Sequence, residues 1–121
     1  MKVIADLCVV PVGVGVSVSA HVAACQRVLK EAGLTTQLHA YGTNIEGEWD
    51  TVFTAIKGNR DNKKNPKEIT IPFVKRCHEV VHDMGAPRIS TSLKIGTRTD
   101  RVQTMADKVS SVVRKMAEPA G

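Results

Sequence analysis

The sequence lacks several features that define common classes of protein. Its 121 residues contain no apolar run of the roughly 18 residues that a membrane-spanning helix needs. Only 3% of the residues are aromatic, so few rings are available to stack on single-stranded nucleic acid. The three cysteines, Cys8, Cys25 and Cys77, are an odd number without C-x-x-C spacing. The odd number and the absence of this spacing argue against a disulfide framework and a zinc knuckle. They lead us to expect a cytoplasmic protein.

The positive charge is concentrated in one segment. The formal net charge is +5, yet residues 59–76 alone hold six basic and two acidic side chains. The rest of the chain is nearly neutral, whereas a nucleic-acid-binding protein carries a basic face, so we expect no nucleic-acid partner. Without this segment, residues 49–58 and 77–85 join into one amphipathic helical pattern. Pro66 and Pro72 forbid a continuous helix, and the sequence therefore predicts an inserted basic loop at 59–76, either a genuine loop or a retained intron.

Apolar periodicity predicts an α+β fold in a single domain, residues 1–121. β-rich stretches predict strands at residues 3–12, 35–41, 43–47 and 88–98, with a turn candidate at 42–44. Helical spacing predicts a first helix capped by Ser17 or Ser19 and ended by Gly33, an interrupted second helix, and a last helix capped by Thr99. This order is the ferredoxin-like βαββαβ arrangement with an extra C-terminal helix.

Right-handed crossovers put the two main helices on one side of the sheet and leave the other side open. Alternation predicts that the open face is polar, with Asp6, Cys8, His39, Tyr41, Glu46, Ser90, Ser92 and Lys94. One interpretation of such a face is a surface that is merely solvated. The other is a functional surface, either a shared interface or a ligand site, and spacing alone does not distinguish the two interpretations.

Two motifs carry candidate chemistry. Residues 78–82 read HEVVH, the H-E-x-x-H pattern in which two histidines bind zinc. The longer form needs a third histidine at position 88, where Arg88 stands, so we expect no metal site and no catalysis. The loop at 96–100 offers Arg98, hydroxyls and a helix N-terminus, which suit a phosphate, or equally a helix cap with a surface Arg–Asp pair.

Three stretches carry a family resemblance: residues 1–13 (MKVIADLCVVPVG), 38–49 (LHAYGTNIEGEW) and 77–100 (CHEVVHDMGAPRISTSLKIGTRTD). Together they resemble the thiamine-binding, YkoF-like family of small proteins. The resemblance implies a ferredoxin-like fold that assembles through its sheets into homodimers or homotetramers. It also implies binding of thiamine or its hydroxymethylpyrimidine part, without catalysis and without a cofactor.

The resemblance agrees with the predicted open face, because hydroxyls and a carboxylate suit the edge of an aminopyrimidine ring. The candidate ligand-binding residues are Ser17, His39, Tyr41, Thr43, Glu46, Ser90, Lys94 and Arg98. The alternative is a structural or regulatory oligomer that binds no small molecule.

Overall fold

The computed structural model describes residues 1–15, 17–58, 72–100 and 103–118. In this part the elements are β1 (Lys2–Val12), α1 (Ser19–Glu31), β2 (Thr35–His39), β3 (Gly42–Glu48), α2 (Trp49–Lys57), α3 (Phe73–Asp83), β4 (Arg88–Thr97) and α4 (Met105–Ala117). The strands form one antiparallel sheet in the order β2-β3-β1-β4. The predicted α+β, ferredoxin-like architecture is thus confirmed. No helix in the described residues combines the length and the hydropathy needed to span a membrane.

The hydrophobic core lies between one face of the sheet and the helices α1, α2 and α3. β1 alternates, so that Val3, Ala5 and Leu7 are buried while the residues between them face the other side. The helices contribute the remaining large buried side chains, among them Leu29, Val52, Phe73 and Val81. This packing fixes which face of each strand is covered.

The β2–β3 hairpin turns earlier than the sequence predicts. β2 ends at His39 and β3 begins at Gly42, so Ala40 and Tyr41 form the turn, and the turn candidate at 42–44 is wrong. A Cβ atom at Gly42 would lie only 2.6 Å from the carbonyl oxygen of Leu7. Glycine is therefore needed at position 42 for the close approach of β3 to β1, and not for the turn itself.

The pairing of β1 with its two neighbours ends at different points. β1 pairs with β3 only as far as Leu7 and Thr43, whereas its pairing with β4 continues to Val12 and Arg88. Residues 8–12 of β1 therefore extend past the β2–β3 hairpin and leave a notch beside the strand. The notch lies on the helix-bearing side of the hairpin tip, next to α1.

The first and last helices begin differently from the predictions. Neither serine caps α1: Val18 occupies the N-cap position, no side chain caps the helix, and Ser19 is its first residue. Gly33 follows the helix with a positive φ of 73°, as predicted. Thr99 does not cap α4, because Thr104 and Asp107 form a reciprocal capping box at the start of the helix, five residues further along the chain.

The second helix is divided into α2 and α3, as predicted, but the boundary differs. Gly58 ends α2 with a φ of 81°, and Pro72 precedes the first turn of α3. Residues 73–76 are therefore helical and do not belong to a loop, because the side chain of Phe73 is buried in the core. Residues 59–71 of the predicted insertion lie outside the described residues.

We predict that Gly42→Ala destabilises the protein by about 2 kcal/mol, because the new methyl group meets the backbone of β1, which cannot move aside without breaking the sheet. The matched control is Gly96→Ala, where a Cβ atom would lie 3.8 Å from the nearest atom, the carbonyl oxygen of Ile4. Urea unfolding measures both variants. Equal stability of the two variants would contradict the assigned role of Gly42.

Candidate functional site

A cavity of about 250 Å³ occupies the notch between α1, β1 and the β2–β3 hairpin. Most of its wall is apolar, formed by Leu7 and Val9 of β1, Val18, Val22, Cys25 and Leu29 from the region of α1, and Leu38 of β2. Ala40 and Tyr41 line it from the hairpin tip, and Tyr41 is 86% exposed, which places this residue at the mouth. The volume is slightly below that of pockets for drug-sized ligands and suits a single small ring.

One hydrogen-bonded pair of polar side chains lies within this apolar wall. The amide nitrogen Nε2 of Gln26 donates to the hydroxyl oxygen Oγ1 of Thr43, at 2.6 Å, and both residues line the cavity. Thr43 is 4% exposed and shares the helix-facing side of the sheet with Leu7, its partner in the register. The carboxamide of Gln26 has a second N–H donor and an acceptor oxygen on adjacent atoms. The site therefore offers a matched donor and acceptor in apolar surroundings.

Sequence reasoning missed Gln26, although a signal for it was present. Gln26 follows Val18 and Val22 at steps of four, so a helix puts all three on one side. A polar residue that continues an apolar helical stripe at this spacing indicates a polar group facing a buried space. Its partner Thr43 was predicted as a ligand-binding residue, but it does not lie on the open face where the other candidates were expected.

His39 and Tyr41 join Thr43 around the cavity, so three of the eight predicted site residues come together. The ring nitrogen Nε2 of His39 lies 2.6 Å from Oδ1 of Asp6. The backbone N–H of Tyr41 donates to the other ring nitrogen, Nδ1, at 3.2 Å. Ser17 is exposed in the preceding loop, where its hydroxyl lies 3.4 Å from that of Ser19.

The open face of the sheet carries Glu46, Ser90 and Lys94, which do not line the cavity. The register pairs Lys94 with Asp6 and Ser90 with Val10, and the side chains of Ser90 and Lys94 are exposed. The carboxylate of Glu46 accepts a hydrogen bond of 2.8 Å from the backbone N–H of Met105. Glu46 thus anchors the positive N-terminal end of α4 to the sheet.

Arg98 is engaged by neighbouring side chains. Its guanidinium donates two hydrogen bonds to the carboxylate of Asp100 and a third to the amide oxygen of Gln103. Hydrogen bonding to Asp100 raises the pKa of Arg98, so the guanidinium stays charged. This arrangement matches the surface Arg–Asp pair that was weighed against a phosphate site.

The two histidines of the HEVVH motif make separate structural contacts. Nε2 of His78 lies 2.6 Å from the hydroxyl oxygen of Thr91, and Nδ1 of His82 donates to the carbonyl oxygen of Ala86 at 2.7 Å. The side chains that the structure describes include no group of three that could hold a metal ion. The geometry therefore favours one contact from α3 to β4 and one contact from α3 to the turn that follows it over a zinc centre.

Cys25 and Cys77 are packed in the core where α1 meets α3. The sulfur of Cys77 lies 3.9 Å from the carbonyl oxygen of Cys25, and Cys77 is fully buried. Hydrogen bonding to Cys25, together with burial, raises the pKa of the Cys77 thiol. Cys77 is therefore neutral and unreactive at physiological pH.

Comparison with known proteins places these features in a family. The sequence profile of a family described as thiamine-binding protein matches residues 5–63 and 67–113. A UPF0045 protein of Synechocystis, sll0230, is 58% identical over 112 residues, which cover 93% of this chain and 78% of that protein. The Eremothecium gossypii protein ECM15 is 34% identical over 98% of this chain and 96% of its own length.

Solved structures share the fold. The crystal structure of MJ1052 from Methanocaldococcus jannaschii has a TM-score of 0.67 and 28% identity, over 93% of this chain and 96% of that one. A Thermotoga maritima protein, TM0486, for which a role in thiamine biosynthesis or salvage has been suggested, has a TM-score of 0.64 and covers 93% of this chain. The match covers 99% of the Thermotoga protein. Because the two sequences are only 18% identical, the likeness extends to the fold alone.

Proposed function

Since the chain belongs to the thiamine-binding protein family, we propose that it binds hydroxymethylpyrimidine, or thiamine through its pyrimidine ring, without catalysing a reaction. The observation that carries this proposal is the Gln26–Thr43 pair inside the apolar cavity. The cavity combines an apolar wall with convergent polar groups, which is the usual composition of a small-molecule site.

The carboxamide of Gln26 complements the edge of an aminopyrimidine. In this ring an exocyclic amine, a donor, stands next to a ring nitrogen, an acceptor. A primary amide meets that pair with two hydrogen bonds, as glutamine does with adenine. The amide oxygen of Gln26 accepts from the amine, and its second N–H donates to the ring nitrogen. Thr43 holds the amide in this orientation through the hydrogen bond of 2.6 Å.

The rest of a thiamine molecule is better accommodated outside the cavity. A volume of about 250 Å³ suits one ring, so the thiazolium extends through the mouth, where the exposed ring of Tyr41 offers a cation–π contact. The described residues that line the cavity include no lysine, arginine, aspartate or glutamate. We therefore expect no tighter binding of thiamine diphosphate than of thiamine.

The sequence also predicted that the ligand contacts Glu46, Ser90 and Lys94, which would place it on the open sheet face instead of in the cavity. We favour the cavity because the carboxylate of Glu46 is already hydrogen-bonded to the start of α4, and because Ser90 and Lys94 lie on the face that we propose below is covered by a second copy of the chain. Variants on the two faces separate the two locations. Loss of affinity in Lys94→Gln with no effect of Gln26 substitution would assign the ligand to the open face.

We predict that Gln26→Glu weakens binding of hydroxymethylpyrimidine by about 10- to 100-fold, because the carboxylate cannot donate to the ring nitrogen. Isothermal titration calorimetry with hydroxymethylpyrimidine, thiamine and thiamine diphosphate measures the effect. Thr43→Val is the second variant: it removes the hydroxyl that orients Gln26 and introduces no charge.

The matched control is Gln37→Glu, which makes the same chemical change at an exposed position on β2, outside the cavity lining. We expect Gln37→Glu to bind like the wild type. Wild-type affinity in both Gln26→Glu and Thr43→Val would contradict the cavity site. No heat from any of the three ligands with the wild-type protein would favour the structural or regulatory alternative.

We also propose that the protein forms a homodimer or homotetramer through the open sheet face and α4. Val10 and Val12 are 43% and 41% exposed on that face. α4 starts there at the buried Met105, and its apolar stripe continues over side chains that are more than half exposed: Val109, Val112, Val113 and Met116. A second copy would cover both surfaces at once, since a two-fold contact is reciprocal.

The three cysteines are free thiols, which fits the reducing cytoplasm where we expect the protein to act.

Light scattering tests the assembly at micromolar concentration. We predict a mass of two or four chains for the wild type and a smaller assembly for Val112→Lys, because a charge in the stripe opposes burial against another copy. Ser110→Lys is the control, since Ser110 is exposed on α4 outside the stripe. A monomeric wild-type protein would contradict the proposal.

A further inference from the structure

Two cysteines form a thiol pair at the inner wall of the cavity. Cys25 of α1 lines the cavity next to Gln26 and is 6% exposed, whereas Cys77 of α3 is fully buried. The sulfur of Cys77 lies 3.9 Å from the carbonyl oxygen of Cys25, and both residues are free thiols. The two cysteines are therefore in contact but differ in access, because only Cys25 borders a space that opens to solvent beside Tyr41.

Hydrogen bonding makes the two thiols chemically different. The thiol of Cys77 donates to Cys25, which lowers the pKa of Cys25 although burial acts in the opposite direction. The same contact, together with burial, raises the pKa of Cys77. Since the thiolate is the nucleophilic form of a cysteine, Cys25 is the reactive member of the pair and Cys77 keeps its proton.

The cavity limits which reagents can reach Cys25. Its volume of about 250 Å³ admits a molecule about the size of one ring, and the described residues that line it include no lysine, arginine, aspartate or glutamate. Oxidised glutathione is larger than this space and carries several charges, whose transfer into apolar surroundings is unfavourable. A small neutral disulfide meets neither obstacle.

We propose that Cys25 is a modification site for small neutral disulfides that enter the cavity. The Cys25 thiol first loses its proton to solvent, and its sulfur then attacks one sulfur of the reagent. A new S–S bond forms to Cys25, the S–S bond of the reagent breaks, and the released thiolate leaves through the mouth and takes up a proton from water. The disulfide is the only oxidant in this step, and a free thiol reverses it by the same exchange.

The attached group would fill the space that we assign to the pyrimidine ring. Only this consequence rests on the proposed function, because the exchange at Cys25 needs nothing beyond the cavity and its two thiols. Modified protein should therefore lose affinity for hydroxymethylpyrimidine, and a bound ring should in turn slow the modification of Cys25.

The experiment compares bis(2-hydroxyethyl) disulfide with oxidised glutathione on the Cys8→Ser protein, from which the partly exposed third thiol has been removed. Mass spectrometry of peptides locates the modified cysteine. We expect the small disulfide to modify Cys25 but not Cys77, and oxidised glutathione to modify neither. After unfolding in urea, both cysteines should react with both reagents, which is the control for reagent activity.

Two outcomes of this comparison would overturn the inference. The first is equal rates at Cys25 and Cys77, or with the two disulfides at Cys25, because reaction would then follow unfolding and not entry into the cavity. The second is the absence of any modification of Cys25 in the folded protein.

The role of Cys77 is tested by Cys77→Ser and Cys77→Ala in the same background. Serine keeps a donor of similar size, and alanine has none. We expect Cys25 to react about two- to threefold more slowly in Cys77→Ala, since the loss of one hydrogen bond reduces the thiolate fraction while the remaining thiolate is more nucleophilic. Equal rates in the two variants would contradict the assignment of Cys77 as the donor.

Addition of hydroxymethylpyrimidine separates this inference from the proposed function. Slower modification of Cys25 in its presence supports both. Selective modification of Cys25 that the ligand does not slow would contradict a pyrimidine site in the cavity and leave the modification site in place. Ligand binding that depends on Gln26, together with a Cys25 that does not react, would support the proposed function and overturn the modification site.

Discussion

The close approach of β3 to β1 at Gly42 is the constraint on which the site depends. The Leu7 carbonyl comes so near that only a glycine fits, and the pairing of the two strands ends there, at Leu7 and Thr43. Because β1 continues along β4 for five more residues, its other edge borders an empty notch rather than a strand. The cavity exists because the hairpin stops short of the end of β1. The same glycine leaves room for His39 and Asp6 to meet above it.

The polar side chains at the site are hydrogen-bonded to one another or to neighbouring groups. Gln26 and Thr43 satisfy each other within an apolar wall, and His39 uses both of its ring nitrogens. Unpaired groups at these positions would cost about 1–3 kcal/mol each. A ligand that replaces or extends these hydrogen bonds is therefore favoured over one that only fills space. On the proposed function, we expect the cavity to prefer flat, hydrogen-bonding heterocycles over plain hydrocarbons.

The sequence predicted the architecture well because periodicity reports directly on burial. The alternation in β4 and the stripe in α1 gave the correct faces, and the free cysteines on apolar stripes are buried. The start of α4 was misplaced because a more favourable cap, Thr104 with Asp107, exists further along the chain, whereas α1 begins after Val18 without any side-chain cap. The turn was misplaced because glycine serves a close strand contact as readily as a turn. Thr43 and Gln26 come together through the strand register and the packing of α1, which no local pattern contains.

The ligand position itself is the most direct test. Nuclear Overhauser effects from the ring methyl group of hydroxymethylpyrimidine to isotope-labelled protein methyl groups report contacts within about 5 Å, a little more than one carbon–carbon contact distance. The cavity site predicts effects to Val22 and Leu29, which line it, and none to Ile4, whose side chain lies on the open face beside Glu46. Effects to Ile4 without any to Val22 and Leu29 would contradict the account.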